Sequence, residues 1–170
     1  MLIPVYFEAA LVASDISGVS PYWIYAQWCH EADNFTSDLC LEFNNLGGIT
    51  QSTENDLPQP DGNCFYRKFS SIDEFGSYFG RYLLLYDGID SVDSLYRYCV
   101  CLRDGGYFGD SLSNYFAGVR YWFNTYRKEM HNYVDAQKLP NRKSKKIFTK
   151  GAVKTPKLNT VRPMRGGFRI

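Results

Sequence analysis

Glu31 is the residue whose type and position best suit it to catalysis. It closes the run "SPYWIYAQWCHE" and lies seven, four and three residues after Ile24, Gln27 and Trp28, so it shares one face of a helix with them. Burial on that face and the negative end of the helix dipole both disfavour an ionised carboxylate. A carboxylic acid that keeps its proton near neutral pH can protonate the oxygen that leaves when a glycosidic bond breaks. The alternative is an ordinary helix-end glutamate with its carboxylate in water.

Helical patterns are predicted on both sides of that glutamate. Residues 1–15 carry apolar side chains at helical spacing, which predicts a first helix. Ser20 as N-cap and Pro21 at the first helical position then begin the helix that presents the acid. Two further helices are predicted in 91–102 and 111–130. The acid is therefore expected at the edge of a helical core.

A non-helical segment interrupts this pattern between residues 43 and 69. It contains paired Asn, paired Gly, two Pro and a "DGN" turn beside short β-favouring pieces. Ser71 and Glu74 then form a capping box that opens a helix through 75–86. The predicted fold is mainly α, with a small β or loop insertion.

Charge divides the chain into two parts. Residues 1–137 hold 8 basic and all 18 acidic residues, a net charge of −10, whereas 138–170 hold 11 basic and no acidic residues, a net charge of +11. The second part also lacks a sustained apolar period and contains scattered Pro and Gly. We therefore predict one folded domain, 1–137, followed by an extended basic arm, 138–170.

Several classes of protein and site are not expected. No segment approaches the roughly 18 to 20 apolar residues of a membrane span, and the N-terminus lacks the basic region of a secretory signal, which predicts a soluble protein without a signal peptide. The five cysteines show no metal-ligand spacing, so no metal and no cofactor is predicted. Cys29 and His30 are helix neighbours that point about 100° apart, which argues against a cysteine nucleophile and its base.

The motifs around Glu31 resemble those of a known family. "GVSPYWIYAQWCHEADNF" followed by "NNLGGIT" resembles the signature of the bacterial and phage glucosaminidases of glycoside hydrolase family 73. Downstream, "FYRKFSSIDEFGSYFGRYL" resembles the family's "F-R-x-Y" stretch, and "GYFGDSLSNYFAGV" resembles its "Y-A-T-D-x-x-Y" segment. These motifs follow the family's order over roughly residues 3 to 130. One departure is Gly47, which stands where the family commonly has phenylalanine.

The resemblance implies a lysozyme-like fold and hydrolysis of the β-1,4 bond between N-acetylglucosamine and N-acetylmuramic acid in peptidoglycan. Glu31 falls on the family's general acid. Tyr107 falls on an aromatic residue that lines the family's cleft, and the loop beside that cleft corresponds to Asn44, Asn45 and Gly48. Tyr66 is a further aromatic residue that we expect to stack on a sugar.

The second carboxylate of the motif has three candidates in the insertion. In the family it lies in the β insertion in a "T-x-E" context, and "STEN" makes Glu54 the best match. Asp56 and Asp61 lie in the same loop, and all three acids could equally be solvated loop residues. Two mechanisms stay open: Glu54 activates water as a base, or the 2-acetamido group of the substrate attacks internally.

The predicted function is therefore a peptidoglycan endo-β-N-acetylglucosaminidase, in a phage virion, most simply its tail, or released at lysis. One alternative is a lytic transglycosylase, and another is a non-catalytic structural tail protein that keeps the fold. The expected partners are the peptidoglycan glycan strand and, through residues 138–170, other virion or tail proteins. The arm lacks a folded recognition element, so nucleic acid is not an expected partner.

Overall fold

The computed structural model describes residues 1–50, 57–58 and 65–152, with only the backbone described for 57–58, 65 and 139–152. Six α-helices are described: α1 (Pro4–Ser17), α2 (Pro21–Glu31), α3 (Asp38–Phe43), α4 (Ile72–Leu83), α5 (Leu95–Asp104) and α6 (Leu112–Ala152). A short 3-10 helix, Ile89–Ser91, precedes α5. None of the helices in the described part of the chain combines the length and apolarity that crossing a bilayer requires.

Helices α2 and α4 begin at the residues that the sequence predicts. Pro21 occupies the first turn of α2, and Ser20 stands at the N-cap position, where its side chain makes no capping hydrogen bond. At α4 the Ser71 hydroxyl accepts a hydrogen bond from the Glu74 backbone N–H at 3.1 Å, as in a capping box. The Glu74 carboxylate instead binds the backbone N–H of Ser70 at 2.7 Å. The predicted helix starts are confirmed, with Glu74 reaching one residue further back than the motif requires.

The insertion between α3 and α4 contains a short hairpin. Strand β1 (Leu57–Pro58) pairs antiparallel with β2 (Phe65–Tyr66), with Leu57 opposite Tyr66. A further bridge joins Thr50 to Tyr66. The small β insertion predicted within residues 43–69 is therefore present, and it follows directly on the loop after α3.

The core is formed by α1, α2, α4, α5 and the first part of α6. Gly76 and Gly80 of α4 face α1 so closely that a Cβ at either position would lie 2.7 or 2.9 Å from the backbone oxygen of Ala9 or Ala13. Large aromatic side chains fill the space around this contact. The fully buried ones are Phe7, Tyr25, Trp28, Phe69, Phe75, Phe79 and Tyr98.

Helix α6 continues past the predicted start of the arm. It extends to Ala152, so residues 138–152 are helical rather than extended. Lysine and arginine are good helix formers, and a run of them can prolong a helix without the apolar period on which the prediction depended. The chain divides into two units, Met1–His131 and Asn132–Ile170. The boundary predicted after Gln137 lies within α6 and stays a prediction.

Candidate active site

Glu31 is the last residue of α2, and the elements around it hold it at the edge of the core. Ile24, Gln27 and Trp28, which share its helical face, have no exposed surface, whereas Glu31 is half-buried. This face lies in the core as predicted, and the whole of 24–29 is buried, so the other sides of α2 are covered as well. The carboxyl group lies where the apolar interior meets the surface, as a group that must exchange a proton with a ligand requires.

Two opposing effects act on the proton of Glu31. Burial raises the pKa of its carboxyl group, and a hydrogen bond from Tyr115 acts in the opposite direction with a smaller effect. In this bond the Tyr115 hydroxyl donates to Oε1 of Glu31 at 2.6 Å. The net result is a carboxyl group that holds its proton to higher pH than an exposed glutamate. This is the property that a general acid needs.

Tyr115 is itself held by rings on both sides. The Phe108 ring stacks on it, with centroids 3.6 Å apart and planes inclined by 7°, and the His30 ring meets it nearly perpendicularly at 5.1 Å. Gly118, one turn along α6, makes room for this arrangement, since a Cβ there would lie 2.4 Å from Cε1 of His30. The approach of α6 to the end of α2 thus fixes the phenol on Glu31.

His30 contributes a ring rather than a charge. Burial lowers the pKa of its imidazole, and the negative charge of Asp110 opposes this change. The imidazole is therefore neutral at pH 7, so it does not add a positive charge beside Glu31. Its observed role is to pack against Tyr115.

A second phenol, that of Tyr98 on α5, is bound to Gln27, which lies one turn before Glu31. The Tyr98 hydroxyl donates a hydrogen bond to Oε1 of Gln27, and both side chains are fully buried. Burial, and then the neighbouring Cys99 and Glu31, raise the pKa of Tyr98; burial and the charge of Glu31 also raise that of Tyr107. Neutral phenols therefore surround the acid within electrostatic range.

The chain leaves Glu31 through an unusual turn. Asp33, Asn34 and Phe35 have φ angles of 46°, 54° and 66°, in the left-handed region that costs a phenylalanine more than an asparagine. The Asn34 backbone N–H donates to the Cys29 carbonyl at 2.7 Å, and the Tyr126 hydroxyl donates to Oδ1 of Asn34 at 2.8 Å. These contacts fix the turn and, with it, the end of α2.

Asn44 and Asn45 stabilise the loop after α3. The Asn44 side-chain amide donates to the Phe69 carbonyl at 3.0 Å, from a backbone conformation with φ 51°. Asn45 is buried, and its amide donates to the carbonyls of Ile49 and Arg67 at 2.8 and 2.9 Å. Because these amide groups are engaged within the protein, they order the loop, and substrate contact through them stays a prediction.

Gly47 and Gly48 bring the backbone of this loop to the site. The Tyr107 hydroxyl donates to the Gly47 carbonyl at 2.6 Å. A Cβ at Gly47 would lie 2.8 Å from the Phe79 ring, so any side chain at this position would require that ring to move. Gly48, with φ 61°, has open space where a Cβ would be. The loop therefore presents backbone rather than side chains beside Tyr107.

The remaining predicted residues lie in the insertion. Tyr66 is half-buried in β2. Glu54, Asp56 and Asp61 lie outside the described residues, so the second carboxylate stays a prediction.

Tyr115 and Tyr98 are site residues that the sequence prediction missed. Tyr115 lies 84 residues after Glu31, so no local pattern links the two. The pattern "Y-A-T-D-x-x-Y" places its last tyrosine six residues after its first, which from Tyr107 is Ser113, so Tyr115 lies two residues beyond that position. The spacing of Tyr98 from Leu95 and Leu102 predicts that it lies on the buried face of α5, but no sequence signal links it to Gln27.

Comparison with known proteins gives a likeness of fold. No family model and no curated protein matches the chain. The glycoside hydrolase domain of Salmonella typhimurium FlgJ matches 81% of this chain and 92% of its own length, with a TM-score of 0.58 and 21% identity. A C-terminally truncated form of that domain matches 71% of this chain and 92% of its own length, with a TM-score of 0.55 and 20% identity.

A third solved structure agrees with these two. The catalytic domain of the autolysin Auto from Listeria monocytogenes matches 73% of this chain and 83% of its own length, with a TM-score of 0.54 and 17% identity. The predicted fold class is therefore confirmed: the chain has the mainly helical, lysozyme-like fold of these domains.

Proposed function

We propose that the protein is a peptidoglycan hydrolase of the glucosaminidase type, cleaving the β-1,4 bond between N-acetylglucosamine and N-acetylmuramic acid. The observation that carries the proposal is the half-buried Glu31 at the end of α2, with a raised pKa and one phenolic hydrogen bond. The fold likeness to one glycoside hydrolase domain, in two solved structures, and to one autolysin catalytic domain supports it. The family resemblance of the motifs supplies the bond specificity.

In the proposed mechanism Glu31 is the general acid. Its proton passes to the glycosidic oxygen as the bond to the anomeric carbon breaks, and the hydrogen bond from Tyr115 stabilises the carboxylate that remains. The positive charge that develops on the sugar ring requires a second group. We assign Glu54 as the base that activates a water molecule to attack the anomeric carbon. In the other route, the acetamido oxygen of the substrate attacks that carbon.

Substrate contacts are proposed for the surface beside the acid. Tyr107 and Tyr66 offer aromatic rings to sugar faces, and the loop of Asn44, Asn45 and Gly48 offers backbone groups. The ordered side chains of Asn44 and Asn45 support this loop in a fixed shape. Preorganisation of this kind lowers the entropy cost of binding.

We further propose that the protein acts in a phage virion, as a tail-associated lysin. The charge contrast between the acidic residues 1–137 and the basic residues 138–170 supports it, because a separate basic segment suits docking to acidic virion proteins. Local digestion of the host wall would then accompany genome entry.

The test is release of fragments from purified peptidoglycan by the wild type and by Glu31→Gln, with products resolved by mass at about pH 5 to 8. We expect the wild type to release fragments with reducing N-acetylglucosamine ends and Glu31→Gln to release none. Glu42→Gln, at an exposed acid of α3, is the matched control and should match the wild type. Anhydro-sugar products would identify a lytic transglycosylase instead, and no release at any pH would favour a structural tail protein.

A further inference from the structure

Tyrosines recur once per turn along one face of α4 and the residues that follow it. Tyr78, Tyr82 and Tyr86 are four residues apart, which places their side chains above one another. The ring centroids of Tyr78 and Tyr82 are 6.2 Å apart with planes inclined by 19°. Both rings are half-buried, whereas Tyr86 is 7% exposed. Two tyrosine rings therefore reach the surface, with a third behind them.

These rings are continuous with the candidate active site. The Tyr82 and Tyr107 centroids are 6.3 Å apart. Tyr107 in turn contacts the loop through its hydrogen bond to the Gly47 carbonyl and is within electrostatic range of Glu31. Aromatic ring contacts thus run from Tyr107 of the candidate site along α4. We name Tyr107, Tyr82 and Tyr78 the tyrosine row.

The row also carries polar groups at fixed positions. The Tyr86 hydroxyl donates to the Tyr82 hydroxyl at 3.0 Å. The Tyr82 oxygen is thereby anchored, and its own hydrogen has no acceptor among the residues that the structure describes. A phenol held in this way can donate to a ligand hydroxyl or carbonyl lying over the rings.

Arg67 ends the row on the side of the hairpin. Its guanidinium carbon lies 4.3 Å from the Tyr78 ring centroid and 5.3 Å from that of Phe69. Within the described ranges it has no carboxylate partner within 4 Å. Its charge contributes to the lowered pKa of Glu74, but the Glu74 carboxylate is bound by the Ser70 backbone N–H and hydroxyl. Stacking therefore orients a guanidinium whose N–H groups can meet a carboxylate.

This combination fits a sugar polymer that carries carboxylates. The faces of pyranose rings present C–H groups that pack on aromatic rings, while their edges take hydrogen bonds from phenols. We propose that the tyrosine row binds a glycan residue away from the bond that Glu31 cleaves, and that Arg67 binds a carboxylate borne by the same strand. The inference rests on the proposed function, because the occupant is the same polymer.

The experiment measures cleavage of long and of short substrates by the protein of residues 1–170. Steady-state cleavage is measured on polymeric glycan strands and on the shortest fragment that the wild type cleaves, for the wild type, Tyr78→Ala and Arg67→Gln. We expect both variants to raise KM for the polymer by about five- to tenfold and to leave kcat on the short fragment unchanged. Tyr78→Phe, which keeps the ring, should retain the wild-type KM.

Tyr121→Ala is the matched control, because this α6 tyrosine is 62% exposed and lies outside the row. It should leave both substrates unaffected. Equal KM values for Tyr78→Ala, Arg67→Gln and the wild type on the polymer would overturn the proposal. So would equal losses on both substrates together with a lower melting temperature, since that result indicates a structural role.

Binding separates this proposal from the proposed function. Co-sedimentation with insoluble peptidoglycan is measured in the Glu31→Gln background, with and without Tyr78→Ala. If the wild type cleaves nothing but binding weakens by about fivefold in Tyr78→Ala, the row stands and the hydrolase proposal fails. If the protein neither cleaves nor binds, both fail.

Discussion

The pKa of the Glu31 carboxyl group depends on two effects that act in opposite directions. The protein interior raises the pKa of the carboxyl group, and the Tyr115 hydroxyl moderates that rise while fixing Oε1. A general acid must be protonated before the reaction, so its pKa sets the pH above which activity falls. Tyr115 is therefore expected to influence both the orientation and the titration of the acid.

Tyr115→Phe keeps the ring stacked on Phe108 but removes the hydrogen bond to Glu31. Because that bond favours the ionised form, its loss raises the pKa of Glu31 further, and the alkaline limb of the kcat/KM profile should move to higher pH. Loss of orientation should also reduce the maximal kcat/KM by about tenfold. Tyr121→Phe, on an exposed α6 residue, is the control, and an unshifted limb in Tyr115→Phe would contradict the prediction.

The left-handed turn after Glu31 allows a second prediction. Asn34→Gly tolerates φ 54° but loses the bond from Tyr126, so we expect a loss of about 1 kcal/mol in unfolding free energy. Asn34→Ala loses the bond and also pays for the left-handed conformation, so its loss should be about 2 kcal/mol. Urea denaturation of both variants measures the difference. Tyr126→Phe should add nothing in the Asn34→Gly background, as expected when one bond is shared.

At the scale of elements, the site depends on how closely helices approach one another. The Gly76 and Gly80 contacts let α1 and α4 meet backbone to backbone, and Gly118 lets α6 reach the ring of His30. In each case a hydrogen atom in place of a side chain sets the distance between two elements. The position of Glu31 relative to Tyr115 follows from the last of these contacts.

Gly76→Ala is expected to destabilise the protein although alanine favours helices. A Cβ at this position would lie 2.7 Å from the Ala9 carbonyl oxygen, which the backbone of α1 can relieve only by moving. Overpacking of this kind costs about 1 to 3 kcal/mol, more than the roughly 1 kcal/mol gained in helix propensity. The measurement is the urea midpoint at constant m, with the half-buried Ser77→Ala of the same helix as control. A higher urea midpoint for Gly76→Ala than for the wild type would contradict the prediction, because it would show that α1 moves away from the added Cβ at little cost.

At the scale of the whole molecule, the main feature is the separation of charge. An acidic part of −10 and a basic part of +11 nearly cancel in the net charge of +1. The described first unit, Met1–His131, contains every residue of the candidate site that the structure describes. None of the described residues of the candidate site belongs to the basic part, 138–170.

A chain that ends at Gln137 tests whether residues 138–170 serve binding and residues 1–137 serve cleavage. We expect it to keep the wild-type melting temperature and its cleavage of short soluble glycan, because the candidate site and the core lie before that residue. Its retention on an anionic resin should be lost at low salt, since the 11 basic residues are removed. Retention equal to that of the full chain would show that the basic residues are not the binding segment.

Much of the fold could be predicted because its signals are local. The N-cap and proline that begin α2 and the capping box of α4 act within one helical turn, so they are legible in the sequence. The six-residue helix α3 was not predicted, because so short a segment has too few positions to show a period. The continuation of α6 through residues 138–152 was also missed, since lysine-rich sequence extends a helix without an apolar stripe.

The sequence by itself determined that Glu31 closes a helix and shares one face with Ile24 and Trp28, because helical periodicity fixes which residues share a face. Only the tertiary structure decided what meets it there. Three contacts join residues that are far apart in the chain: the hydrogen bond from Tyr115 to Glu31, the packing of Gly118 against His30, and the hydrogen bond from Tyr126 to Asn34. Such contacts depend on how the helices pack against one another. All the side chains of the interior determine that packing together, so no local sequence pattern encodes these contacts.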